Sequence, residues 1–141
     1  MSGSPVPAHA LGSASTTVPD PASVRLELSA NACCRAVGRL VVGGVGSRLA
    51  LPVDRIEDLQ LAVEALLSRT AARRVVDLEL TESTEWLRVR LGPFAPAPAE
   101  RGRVQEMLLR LVEDVDVQDS GDGEWIVLGA ATSRPPARRG A

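Results

Sequence analysis

Lysine is missing altogether: all 16 basic residues are arginines. Chemistry that needs a lysine ammonium, such as a lysine-dependent phosphate loop or a Schiff base, is thereby excluded. Histidine is almost missing too. The single one, His9, lies in a stretch rich in Ser, Pro, Ala and Thr that is expected to be disordered, so a Ser/His or Cys/His nucleophilic pair has no base. Cysteine is limited to Cys33 and Cys34. A disulfide between neighbours is strained, which predicts reduced thiols on a helix of a cytoplasmic protein, with a vicinal redox pair as the alternative. Two adjacent thiols without a structured histidine make no zinc site either. No apolar run approaches the roughly 20 residues of a membrane span. Residues 1–23 also lack the positive start and apolar stretch of a signal peptide.

What is present suits one domain. The chain has 141 residues, 45% of them hydrophobic, enough to build a core. The expected organisation is a disordered arm at 1–23, a folded domain at 24–130 and a flexible tail at 131–141. Net charge is -2 and the arginines are spread along the chain, so no footprint for nucleic acid or an anionic membrane stands out. A protein that binds proteins is the expectation. The acidic residues Glu113, Asp114, Asp116, Asp119 and Asp122 lack the spacing of a calcium loop and are read as a solvated rim.

Residues 24–28 alternate apolar and polar side chains, as a half-buried strand does. Asn31 is placed to cap a helix from Ala32 to about Arg48, with Val37, Leu40, Val41, Val45 and Leu49 on its inward face. Gly38, Gly43, Gly44 and Gly46 each weaken it by about 1 kcal/mol against Ala, so it either packs closely on a neighbour or frays. Pro52 opens the next helix, with Ile56, Leu59, Val63, Leu66, Leu67 and Thr70 inward and Asp58, Ala62, Ala65 and Arg69 on an adjacent face. Residues 75–80 and 86–91 read as a hairpin, and 92–99 as irregular. A third helix is expected at about 100–114, burying Val104, Met107, Leu108, Leu111 and Val112. A last hairpin pairs 115–118 with 124–128 around a turn at 119–123. Trp86 and Trp125 each begin a strand and are read as packing residues. The order strand, helix, helix, strand, strand, helix, strand, strand predicts an α+β two-layer sandwich, a mixed, mostly antiparallel sheet with helices on one face.

The second helix carries a resemblance. Asp54, Ile56, Asp58, Leu59, Leu61, Ala62 and Val63 match the second helix of the anti-sigma factor serine kinases, small ATP-binding domains of the GHKL (histidine kinase and Hsp90-like) type. Aligned without gaps, the family's catalytic Glu falls on Ala65 and its magnesium-holding Asn on Arg69. Alanine has nothing to accept a proton, and a guanidinium has no lone pair for a metal. Gly92, Pro93 and Phe94 look like the remnant of the family's adenine-reading turn without its Asp, and the lid after it is shortened.

The resemblance therefore implies the family's fold and its regulatory binding, with no cofactor and no catalytic residue. Family members sequester an RNA polymerase sigma factor and release it to a STAS-domain antagonist, a partner switch used in stress responses. By the same resemblance Arg35 holds the place of a docking arginine, with Arg39 beside it as the second partner-binding candidate. A homodimer through residues 25–28 is expected likewise. The rival reading is an active kinase with a remodelled ATP and magnesium site, using Glu64 as base, Ser68 or Asp58 near the metal and Arg69 on the phosphates.

Overall fold

The structure, a computed structural model, describes residues 23–29, 31–69 and 75–132. All of the expected arm but Ser23, which begins the first strand, together with His9, Thr70 and nearly all of the expected tail, lies outside these residues. The elements are β1 (Ser23–Ser29), α1 (Ala32–Arg48), α2 (Val53–Ser68), β2 (Val75–Glu82), β3 (Trp86–Phe94), α3 (Pro98–Leu109), β4 (Asp114–Ser120) and β5 (Gly123–Ala131). Their order is the one predicted.

The strands form a five-stranded sheet in the order β1-β2-β3-β5-β4. Every described pairing is antiparallel, so the sheet is not mixed. Period-two alternation sorts its two faces. Leu28, Val76, Leu78, Leu80, Val89, Leu91 and Leu128 point into one core cluster with Val42 and Val45 of α1, Leu59, Val63 and Leu67 of α2, and Leu108 of α3. All three helices therefore cover one face, giving the α+β two-layer arrangement.

The other face is built from charge and two aromatic rings. Arg25 meets Asp77 at 3.1 Å and Glu79 at 3.9 Å, and Arg90 meets Glu79 at 3.5 Å. The Arg90 guanidinium stacks 3.9 Å above the Trp125 ring, and Arg88 lies 5.2 Å from that of Trp86. Trp125 is thus buried beneath an arginine rather than in the helix-covered core.

Asn31 caps α1 as expected, its Oδ1 accepting from the Cys34 backbone N–H at 2.9 Å. The inward face of α1 differs from the prediction. Gly38, Val42, Val45 and Gly46 are buried, whereas Val37 is 40% and Leu40 73% exposed. Hydropathy steers the eye to valine and leucine, but a helix that must sit close on its neighbour buries glycine. A Cβ on Gly46 would lie 2.8 Å from Ile56 Cγ1, so the glycine lets α1 close on α2, and the helix runs to Arg48 without fraying.

Three further boundaries move. Gly92, Pro93 and Phe94, expected to be irregular, extend β3 through a register shift between Leu91 and Phe94. A strand irregularity tolerates a proline that cannot donate to the ladder. The third helix ends at Leu109 rather than near 114, because the Glu113 N–H is recruited by the Gly129 carbonyl at 3.1 Å and the chain joins the sheet. Met107, expected inside, is 38% exposed. The last hairpin is longer than predicted, Ser120 pairing with Gly123 across a two-residue turn.

Candidate functional site

The C-terminal turn of α2, the segment after β3, the first turns of α3 and the last hairpin enclose a cavity of about 350 Å³. From α2 come Leu66 and Arg69, and from the β3–α3 link Phe94, Ala95, Pro96 and Ala97. Helix α3 adds Glu100, Arg101 and Val104, and the hairpin adds Val117, Glu124 and Ile126. Pro98 in the first turn of α3 sets the direction in which that helix leaves the link.

Two ion pairs cross this space. Arg69 donates to Glu100 at 2.6 Å, tying the end of α2 to α3 and holding the Glu100 carboxyl below the usual carboxylate range. Arg101 bonds to Glu124 and also reaches Asp119 at 3.3 Å. Glu124 is the sole buried charged residue among those described, 6% exposed, and its hydrogen bond raises the Arg101 pKa further. The Arg101 Nε–H is itself buried and meets no acceptor among the described residues.

The residues singled out in the sequence are only partly brought together. Arg69 and Phe94 line the cavity; Ala65, half-buried, does not. Ala62, placed on the same helix face, is fully buried in the core. Gly92 has a structural reason of its own, since a Cβ there would stand 2.6 Å from Trp125 Cδ2. Glu64 turns to α1, where Arg39 meets it at 3.4 Å, and the Ser68 hydroxyl donates to the Glu64 carbonyl at 2.8 Å. Glu64, Ser68 and Arg69 therefore do not converge on one point. Arg35 is half-buried, and Arg39, whose side chain is half exposed, reaches toward α2, while Val37 and Leu40 are exposed on the same helix.

Cys33 is exposed and Cys34 half-buried, both as free thiols. The Ser29 hydroxyl donates to Cys34 Sγ at 3.4 Å and holds that thiol below its ordinary pKa. Among the described residues no three His, Cys, Asp or Glu side chains group as metal ligands. No helix among them is long and apolar enough to cross a membrane.

Arg101 and Glu124 were not visible as site residues in the sequence. Their one signal is that Glu124 interrupts the inward set of β5 that continues with Ile126, Leu128 and Ala130. Compared with known proteins, the chain matches no family model and no curated protein.

Proposed function

We propose that the protein is a nucleotide-independent regulator of the anti-sigma factor type, acting in the cytoplasm and binding a sigma factor or a STAS-domain antagonist without phosphorylating it. The observation that carries this reading is Arg69. At the position where the resemblance puts a magnesium ligand, α2 ends in a guanidinium spent on an ion pair with Glu100. A site for magnesium and triphosphate needs oxygen ligands and unpaired donors there.

Docking falls on α1, whose solvent side exposes Val37 and Leu40, with Arg39 at the edge toward α2 beside Glu64 and Arg35 half-buried one turn before it. An arginine fork suits an acidic protein surface, and exposed apolar side chains on the same helix add area that a partner can cover. Self-association falls on β1. It is an edge strand, and its sequence is self-complementary about Leu26. Antiparallel pairing with a second copy puts Arg25 opposite the partner's Glu27 and the reverse, the isologous arrangement a two-fold axis demands. Glu27 also stands in register with Asp77 of its own chain, a like-charge pair that the partner's Arg25 would relieve. The opposite edge, β4, carries Asp114, Asp116 and Asp119, which discourage pairing.

The test is purification of the tagged protein from its own cells without nucleotide, with mass spectrometry of what is retained. A sigma factor or STAS-domain protein that is lost in Arg35→Glu supports the reading; recovery of neither overturns it. For the dimer, Glu27→Arg gains Asp77 within the chain but sets Arg against Arg across the axis. It should sediment as a monomer at concentrations where wild type is dimeric, and Arg25→Glu/Glu27→Arg should restore the dimer.

A further inference from the structure

Helix α3 is the least rooted of the three helices. Of its twelve residues only Leu108 is buried, near its C-terminal end, whereas α1 buries four residues and α2 five. Its earlier turns supply Glu100, Arg101 and Val104 to the cavity instead. Val104, Phe94 and Val117 pack against the core yet stay half-buried, and the buried Leu66 and Ile126 meet the same space from within the core. Protein interiors are close-packed, and a side chain beside a gap forgoes the contacts that would fill it. The apolar core is thus unfinished under α3, and the cavity of about 350 Å³ is the missing volume.

The polar walls say what the filler is not. Arg69 is held by Glu100, and Arg101 by Glu124 and Asp119. An anion could reach a guanidinium only by displacing a carboxylate, which would then stand beside it unpaired; a cation could reach a carboxylate only by displacing a guanidinium. An uncharged apolar body leaves these pairs intact and gains the contacts that the half-buried side chains lack. The volume stands near the lower end of the roughly 300–1,000 Å³ typical of small-molecule sites, which suits one or two fused rings.

We propose that this cavity is a binding site for a small, uncharged, apolar molecule of one or two rings, which completes the core between α3 and the sheet. The inference uses only the packing of α3 and the pairing of the walls, and does not rest on the anti-sigma reading.

The experiment titrates methyl-labelled protein with naphthalene and with two analogues of the same ring system, 2-naphthoate and 2-naphthylmethylammonium, one of each charge. Saturable shifts of the Leu66, Val104 and Ile126 methyls are expected with naphthalene. Each charged analogue should bind at least roughly tenfold more weakly, because it must break an ion pair to enter. Naphthalene should also slow amide hydrogen exchange in α3 more than in α1. Val104→Phe and Val117→Phe each put a ring into the gap, one from α3 and one from the sheet. Whichever keeps an intact spectrum should no longer bind naphthalene.

Absence of saturable shifts, shifts confined to the exposed Leu40 and Leu61, a charged analogue binding as tightly as naphthalene, no slowing of exchange in α3, or unchanged binding in a folded filled variant would each overturn the proposal. Magnesium ATP is titrated in parallel. If it moves the same methyls, this inference and the nucleotide-independent reading fall together; if it is inert and naphthalene also fails, only this inference falls.

Discussion

At Gly92 a single added methyl group would stand 2.6 Å from Trp125 Cδ2 and 2.9 Å from the Glu124 carbonyl oxygen. Neither neighbour can retreat easily, since one ring is stacked under Arg90 and the other atom is backbone. Gly92→Ala should therefore cost about 1–3 kcal/mol, read as a lower urea midpoint with unchanged slope. Arg101 and Glu124 make an asymmetric pair. Losing the arginine strands a carboxylate of which 8% is exposed, whereas losing the glutamate leaves a partly exposed guanidinium that still has Asp119. Arg101→Met should lower the midpoint more than Glu124→Met, and the double variant should recover part of the loss.

Among the elements, α1 shows how far hydrophobic patterning reaches. Its limits were legible, because Asn31 is a capping residue and the alternation of β1 ends just before it. Its buried face was not, because two of the four buried positions are glycines, which have no hydropathy to register. The strands of the first hairpin were legible from alternation alone, whereas the end of α3 depended on a carbonyl of β5 far along the chain. The cavity was legible in part: Arg69 was singled out, but the pairing of Arg101 with Glu124 spans 23 residues and leaves no local mark. The glycines of α1 also give a prediction with a change of sign. A Cβ at Gly44 meets nothing within 4 Å, so Gly44→Ala should stabilise by about 1 kcal/mol through helix propensity. Gly46→Ala gains the same but collides with Ile56, so it should be neutral or destabilising in wild type and stabilising in an Ile56→Ala background. Thermal unfolding of the four-variant cycle checks it.

For the molecule as a whole, acid stability has two named contributors. The carboxyls of Glu100 and Asp122 are held below their ordinary range, the first by Arg69 and the second by the Ser120 hydroxyl and the Trp125 indole N–H. Their folded pKa values are depressed, so the unfolded chain takes up protons first. The stability they add is complete above the ordinary carboxylate pKa of about 4 and is lost as pH falls through the folded values. Glu100→Gln/Asp122→Asn should be less stable than wild type at pH 7, with the difference closing on acidification, as followed by urea midpoints from about pH 7 to pH 3. The two-layer build has one more consequence. Both tryptophans lie under arginines on the face of the sheet away from the helices. Intrinsic fluorescence will therefore report the state of the sheet's outer surface and stay nearly blind to events between sheet and helices. An emission-based screen would pass over a bound molecule in the cavity and over loosening of α1, so negative results from such a screen carry no weight for this protein.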